Sequence, residues 1–282
     1  MSASGDGGDA RATSGTAAIS VHDVSFAYAG RDGERRAIDR RAIDRVTFDV
    51  TAAEFVALIG ANGTGKSTLL RLIGGLLAPT GGHVSIRGQT VSEPSPTVGV
   101  VFQEPRLLPW RSTLDNVAFP LELAAWPVAR RRERAREMLR LVGLLDVDAL
   151  RPHQLSGGMR QRASIARALT LEPAVLLLDE PFSALDALTR ERFNLELQEI
   201  WQTTGTTVLL VTHSIAEAIF LADRVIVLAG QPGRLAAEVR IPLARPRTTT
   251  DLDAAEVSEI ASEIRSHLGS DAVPIGSAGE TA

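Results

Sequence analysis

Nine consecutive residues, Gly60-Ala61-Asn62-Gly63-Thr64-Gly65-Lys66-Ser67-Thr68, carry the strongest chemistry in this 282-residue chain. Glycines there let backbone N–H groups turn inward and approach a phosphate, and a helix starting after them adds the positive end of its dipole. Lys66 stands where an ammonium reaches the β- and γ-phosphates, a task that suits a point charge better than arginine's planar fork. It is the only lysine among thirty Lys and Arg residues, so its survival in an arginine-biased chain is a functional signal. Ser67 offers a hydroxyl to Mg2+. The pattern is the P-loop, whose required context is a strand before and a helix after.

A second group of residues completes the chemistry. The run Val175-Leu176-Leu177-Leu178-Asp179-Glu180 ends in two adjacent acids. An apolar strand of this kind delivers Asp179 toward the Mg2+, through water, and leaves Glu180 able to polarise an attacking water. Taken alone, the pair reads equally well as a solvated strand end; the upstream P-loop decides for chemistry.

These residues need elements to hold them. Residues 19–28 alternate apolar and polar side chains and predict a strand. The sequence RAIDR then occurs twice, over 36–45, a local duplication too short for a repeat architecture. Only its second copy need run into a strand at 46–50. The short apolar run 55–59 predicts the strand before the P-loop, and 66–77 the helix after it, stopped by Pro79, Gly81 and Gly82. Strands are expected at 83–87, 98–102, 175–178, 207–211 and 224–228, the last three suited to central parallel positions. Residues 114–171 read as helical, with a solvated Arg/Glu-rich face over 128–141. Strands alternating with helices indicate an α/β fold, with 114–171 as an inserted lobe. Residues 1–18 read as a disordered tail, and 248–282 as a tail with one weak helix over 252–268.

Composition excludes several function classes. The formal net charge is −4 and the pI about 5.8, so there is no basic footprint for nucleic acid. There is no cysteine, hence no disulfide scaffold and no thiolate metal site, in keeping with a reducing cytosol. No apolar run is long enough to span a bilayer, and the first residues lack the basic start and apolar stretch of a signal peptide.

The residues Leu155-Ser156-Gly157-Gly158-Met159-Arg160-Gln161 make the family reading specific. Ser156 suits an N-cap, the glycines bare further N–H groups at a helix start, and Met159, Ala163, Ala166 and Leu169 share a packing face. Together with the P-loop, VLLLDEP and His213, the segment resembles the signature of ABC ATPases, in the order that family uses. The resemblance spans residues 19–247. It implies a P-loop NTPase core with an antiparallel β subdomain and an inserted α-helical subdomain, binding ATP and Mg2+ in a head-to-tail dimer. By the same resemblance, Gly60, Asn62, Gly63, Gly65, Lys66, Ser67 and Thr68 cradle the phosphates. Ser156, Gly157 and Gly158 meet the γ-phosphate in trans. Gln103 touches Mg2+ and the water, alongside Ser67 and Asp179, and Asp186 of Ser183-Ala184-Leu185-Asp186 lies where the dimer interface is crossed. His213 bonds the γ-phosphate and Glu180, the general base. Tyr28 falls where the family places an aromatic that stacks on adenine. His22, His83, His153 and His267 have no such setting and read as ordinary residues.

Within the family, QEPRLLPWRSTLDNVAFPL (103–121) resembles the nitrate/sulfonate/taurine group of bacterial import ATPases, as do 217–228 and the Pro232-Gly233-Arg234 turn leading to 242–247. That resemblance implies a separate membrane permease, a periplasmic or lipid-anchored substrate-binding protein, and a peripheral place on the cytoplasmic face of the cell membrane. Leu107 and Trp110 then either line the groove for the permease's coupling helix or belong to the core of the helical lobe. The alternatives are a non-transport ABC ATPase and an importer of a thiamine pyrimidine precursor. Ribosome-associated members carry two such domains, and repair members separate P-loop and signature by long heptads, which residues 67–155 do not form. The chain departs from the family at Ala53-Glu54, where Gly-Glu is usual, at Ser214, where an acid commonly follows the histidine, and in the duplicated RAIDR after Tyr28.

Overall fold

The computed structural model describes residues 17–28, 41–183, 185–248 and 255–268. Its first half runs β1 (Ala17–Ala27), β2 (Arg41–Thr51), β3 (Phe55–Gly60), α1 (Lys66–Ile73), β4 (Gly81–Ile86), β5 (Gln89–Thr90), β6 (Val98–Val101), α2 (Thr113–Leu123) and α3 (Val128–Leu141). The second half runs α4 (Gly157–Leu169), β7 (Val175–Asp179), α5 (Ala187–Thr204), β8 (Thr207–Val211), α6 (Ile215–Leu221), β9 (Arg224–Ala229), β10 (Arg234–Arg240) and α7 (Ala255–Leu268).

The continuous apolar runs become strands covered on both faces. The larger sheet has the order β10-β9-β3-β8-β7-β6 and is parallel except for β10, which pairs antiparallel with β9. Side chains alternate between its two faces. Phe55, Ala57 and Ile59 of β3 join Leu176, Leu178, Val208 and Leu210 in the core beneath the helices. Val56 and Leu58 join Val175, Leu177, Leu209 and Val211 in a second core. That second core is closed by α1 and by the smaller antiparallel sheet, β2-β1-β4-β5. Polar residues have no place in such strands until they leave the sheet, which is why chemistry begins at their carboxyl ends.

Several boundaries differ from the sequence reading. The helical stretch is not continuous: Pro127 opens α3, and Gly143, at φ 67, ends it, so 142–156 is a connection with one 3-10 turn at Pro152–Gln154. The second RAIDR copy is strand rather than loop, because Ile43 is fully buried and Asp44 is ion-paired to Arg41 and Arg234. The first copy, at 36–40, lies outside the described residues, as do 1–16 of the expected N-terminal tail; Ala17 and Ala18 already belong to β1. In the C-terminal region the helix is Ala255–Leu268, anchored by Val257, Ile260, Ala261 and Ile264, with 249–254 and 269–282 outside the described residues. No described helix is long and apolar enough to cross a membrane.

Candidate active site

The P-loop follows β3 and opens α1, the context its chemistry requires. Gly63 and Gly65 have φ of 83 and 88, a region that a side chain disfavours. Gly60 is constrained by space instead: a Cβ there would come within 2.6 Å of the Leu228 carbonyl. Lys66 folds over its own loop and donates from Nζ to the carbonyls of Gly60 (2.8 Å) and Ala61 (3.1 Å). Burial pushes its ammonium below the ordinary lysine range, against the charges of Glu180 and Asp179.

One turn of α1 supplies two further contacts. The Ser67 hydroxyl donates to Asp179 Oδ1 at 2.7 Å, joining the P-loop to the end of β7. Burial raises the Asp179 carboxyl above its usual range, and the Ser67 hydrogen bond opposes the rise. A hydroxyl and a carboxylate held together in this way are hard oxygen donors of the kind that suit Mg2+. Thr68 Oγ1 lies 2.9 Å from the Tyr28 hydroxyl, whose ring packs edge-on against Phe26 and is 42% exposed.

Glu180 is the first residue beyond β7. Its φ of 44 is uncommon for a residue with a side chain, and its N–H is held by the Val211 carbonyl at 2.9 Å. That backbone bond sets β7 against β8 where each strand ends. His213, two residues past β8, then places Nδ1 at 3.2 Å from Glu180 Oε2. On the other side, Gln103 donates to Ser183 Oγ at 3.1 Å, and that hydroxyl donates to the Glu180 carbonyl at 3.1 Å. Gln103, Glu180 and His213, from the ends of three strands, thus share a cleft of about 290 Å³ with Gly60, Ala61 and Asn62. Leu268, the last residue of α7, also lines it.

The signature segment lies elsewhere. Ser156 caps α4 by accepting from the Met159 N–H at 3.2 Å. Ala163, Ala166 and Leu169 are buried on one face, with Met159 packed at its edge. Gly158 lies close to Phe193: a Cβ there would meet that ring at 3.1 Å. None of Ser156, Gly157 or Gly158 lines the cleft. Asp186 caps α5, accepting from the Thr189 N–H at 3.0 Å.

Three supports of this site have a role that the sequence did not assign to them. Ser183 bridges Gln103 and Glu180. Asp44 and Arg234, from β2 and β10, meet beside the P-loop, where Gly233 donates to the Ala42 carbonyl. The third is Glu217 in α6, and Ser214-x-x-Glu217, the spacing of a capping box, was its available signal. As for the loop after Gln103, Leu107 packs against the core, whereas Trp110 is 69% exposed. Asn116 and Arg167 tie that loop down from the helical lobe.

Residues 43–183 match the family described as ABC transporter. The taurine import ATP-binding protein of Burkholderia thailandensis is 44% identical over 229 residues, 81% of this chain and 86% of that one. The nitrate import ATP-binding protein of Synechococcus elongatus is 49% identical over 206 residues, 72% of this chain and 75% of that one. Among solved structures, a dimeric ATP-binding cassette in a post-hydrolysis state, bound to ADP and Pi, has a TM-score of 0.69 at 32% identity. It matches 80% of this chain over 100% of its own length. The chain belongs to the ABC transporter family, as one of its ATP-binding, ATP-hydrolysing subunits.

Proposed function

We propose that the chain energises import of a small anion or sulfonate through a separate membrane permease, from the cytoplasmic face of the membrane. A periplasmic or lipid-anchored binding protein would deliver the cargo. The observation that carries the hydrolytic half of this reading is the contact of His213 Nδ1 with Glu180 Oε2, in the cleft shared with Gly60–Asn62 and Gln103. The importer half is supported by the names of its relatives, taurine and nitrate import ATP-binding proteins.

In this reading the N–H groups of 60–68 and the Lys66 ammonium hold the phosphates of ATP. Glu180 accepts a proton from the attacking water, whose oxygen bonds to the γ-phosphorus as the bond to the bridging oxygen of ADP breaks. His213 orients Glu180 and donates toward the γ-phosphate, and Tyr28 offers its exposed ring to adenine. Ser67, Asp179 and Gln103 are the residues that would hold Mg2+, whose charge offsets that of the phosphates. The signature of one copy sits away from its own cleft, so Ser156, Gly157 and Gly158 of a second copy would complete the site. The γ-phosphate then bridges two subunits, and hydrolysis loosens the pair.

The test is Glu180→Gln, in the purified chain and in cells. ATP binding should persist, the dimer should accumulate with ATP, and turnover should fall by about 10² to 10⁴. Turnover near wild type would reject the base assignment. Growth of the same variant on nitrate, taurine or alkanesulfonates as sole nitrogen or sulfur source identifies the cargo. Loss on one compound alone supports import of it, and normal growth on all three points to a redundant importer or to another cargo, the thiamine pyrimidine precursor being next.

A further inference from the structure

The carboxyl of Glu217 is 5% exposed and sits in α6 one turn beyond His213. Its position three residues after Ser214 fits a capping box, in which the glutamate would return to the N-cap backbone N–H. The observed connection is different. Thr212 Oγ1 donates to Glu217 Oε2 and itself accepts the Ser214 N–H at 3.0 Å. Ser214 Oγ in turn accepts the Glu217 N–H at 3.3 Å. The Thr212 N–H is fixed to the Leu58 carbonyl of β3 at 3.2 Å. Both chain neighbours of His213 are therefore held in one small network, and Glu217 closes it.

The other oxygen of this carboxyl, Oε1, has no hydrogen-bond partner among the described residues. A buried polar atom left in that condition is costly and calls for a reason. Glu217 lines a pocket of about 10 Å³ together with Glu180, Arg190, Thr212 and His213, a volume near that of one water. The charged groups facing it are Arg190 from α5, itself donating to the Phe182 and Leu185 carbonyls, and Glu180 and His213 from the strand ends. Burial pushes the Glu217 carboxyl above the ordinary range, against the Thr212 hydrogen bond.

We infer that Glu217 is the positioning residue of His213: through Thr212 it fixes both neighbours of the histidine and so sets the imidazole against Glu180. This rests on the reading of Glu180 and His213 as the hydrolytic pair. Glu217 acts on the rate of hydrolysis and not on nucleotide binding, because it bonds the two chain neighbours of the histidine and none of the P-loop.

The experiment measures steady-state ATP hydrolysis and nucleotide affinity in the full-length chain carrying Glu217→Ala, Glu217→Gln or Thr212→Val. Misplacement of a catalytic group by an ångström costs about a hundredfold, so Glu217→Ala should lower kcat on that scale while KM and nucleotide Kd stay near wild type. Glu217→Gln keeps an acceptor for Thr212 and should restore most of the turnover. The double variant Thr212→Val/Glu217→Ala should cost no more than the larger single loss. If Glu217→Ala does not fold, Thr212→Val removes the same hydrogen bond without emptying the site and carries the same expectation. Full kcat in both variants, a loss shared equally by KM, or a glutamine as impaired as the alanine would overturn the assignment. A wild-type chain without ATP turnover would instead sink the hydrolytic reading, whereas an inactive Glu180→Gln beside a fully active Glu217→Ala would sink only this one.

Discussion

Gly233 runs so close to Thr64 that a Cβ built on the glycine would meet the Thr64 carbonyl oxygen at 1.9 Å. The contact joins the turn before β10 to the middle of the P-loop, two segments far apart in the sequence. Gly65 is confined from the other side, since a Cβ there would lie 2.6 Å from the Ala42 carbonyl and from Ile43 Cδ1. The P-loop is thus wedged between the second RAIDR copy and the Pro232-Gly233-Arg234 turn, which the Asp44–Arg234 ion pair holds together. Gly233→Ala must displace backbone rather than a side-chain tip, a kind of overpacking that costs about 1–3 kcal/mol. Nucleotide affinity and melting temperature should both fall. Fluorescent-nucleotide titration and calorimetry check this, and unchanged values in both would show that the turn does not brace the loop.

How much of this was legible in sequence depended on whether the partners were local. β3, β7, β8 and β9 could be read because strands buried on both faces need nothing but apolar residues. The P-loop could be read because nine neighbouring residues contain its whole design. β10 was missed: in Arg234–Arg240 only Val239 is buried while Leu235 and Ala237 are half-buried, and an edge strand of this kind shows a weak pattern. α5 was passed over because most of its 18 residues are not buried. The strand character of Arg41–Arg45 was hidden for another reason. Asp44 looks like a loop residue until Arg234, 190 positions away, supplies its partner. Glu217 carried a recognisable capping spacing, but its connection to Thr212 runs through a side chain that no spacing rule includes.

Asn116 organises the loop that follows Gln103. It is fully buried; its Oδ1 accepts the Leu108 N–H at 2.7 Å, and its Nδ2 donates to the carbonyls of Leu108, Arg111 and Ser112. Asn116→Leu fills the space but orphans the Leu108 N–H, at a cost of about 1–3 kcal/mol. Arg106 and Arg111 lie in or beside this loop, so limited trypsin digestion should cut the variant there much faster than the wild type. Equal cutting rates and equal melting temperatures would mean that Arg167, which holds the carbonyls of Pro105 and Arg106, suffices alone.

Glu217 also predicts a pH dependence of stability. Its carboxyl is raised above 4.5 in the fold by burial, so the native state binds more protons than the unfolded chain between the two values. Its favourable contribution is therefore complete below the unfolded pKa and is lost as pH rises through the folded one. Glu217→Gln has no proton to lose. The melting temperature of this variant minus that of the wild type should increase from pH 5 to pH 8. A difference that stays constant over this range would mean that the carboxyl ionises in the fold without penalty.

Ala53 marks a place where the chain departs from the Gly-Glu usual in its family, and the backbone explains why glycine suits the position. Ala53 has φ of 59, in the left-handed region, where a Cβ crowds the following carbonyl. Its N–H is fixed by Thr207 Oγ1 at 3.0 Å, and Glu54 beside it is bound to Arg224, so the turn cannot relax into another conformation. Burial does not complicate the exchange, since Ala53 is exposed. Ala53→Gly removes a left-handed strain of about 1–2 kcal/mol but adds freedom to the unfolded chain, which returns up to about 1 kcal/mol. The net effect should be a small stabilisation, a rise of about 1–3 °C in melting temperature for a chain of this size, with ATP turnover unchanged. A fall in melting temperature would mean that the entropy gained by the unfolded chain exceeds the strain relieved at the turn.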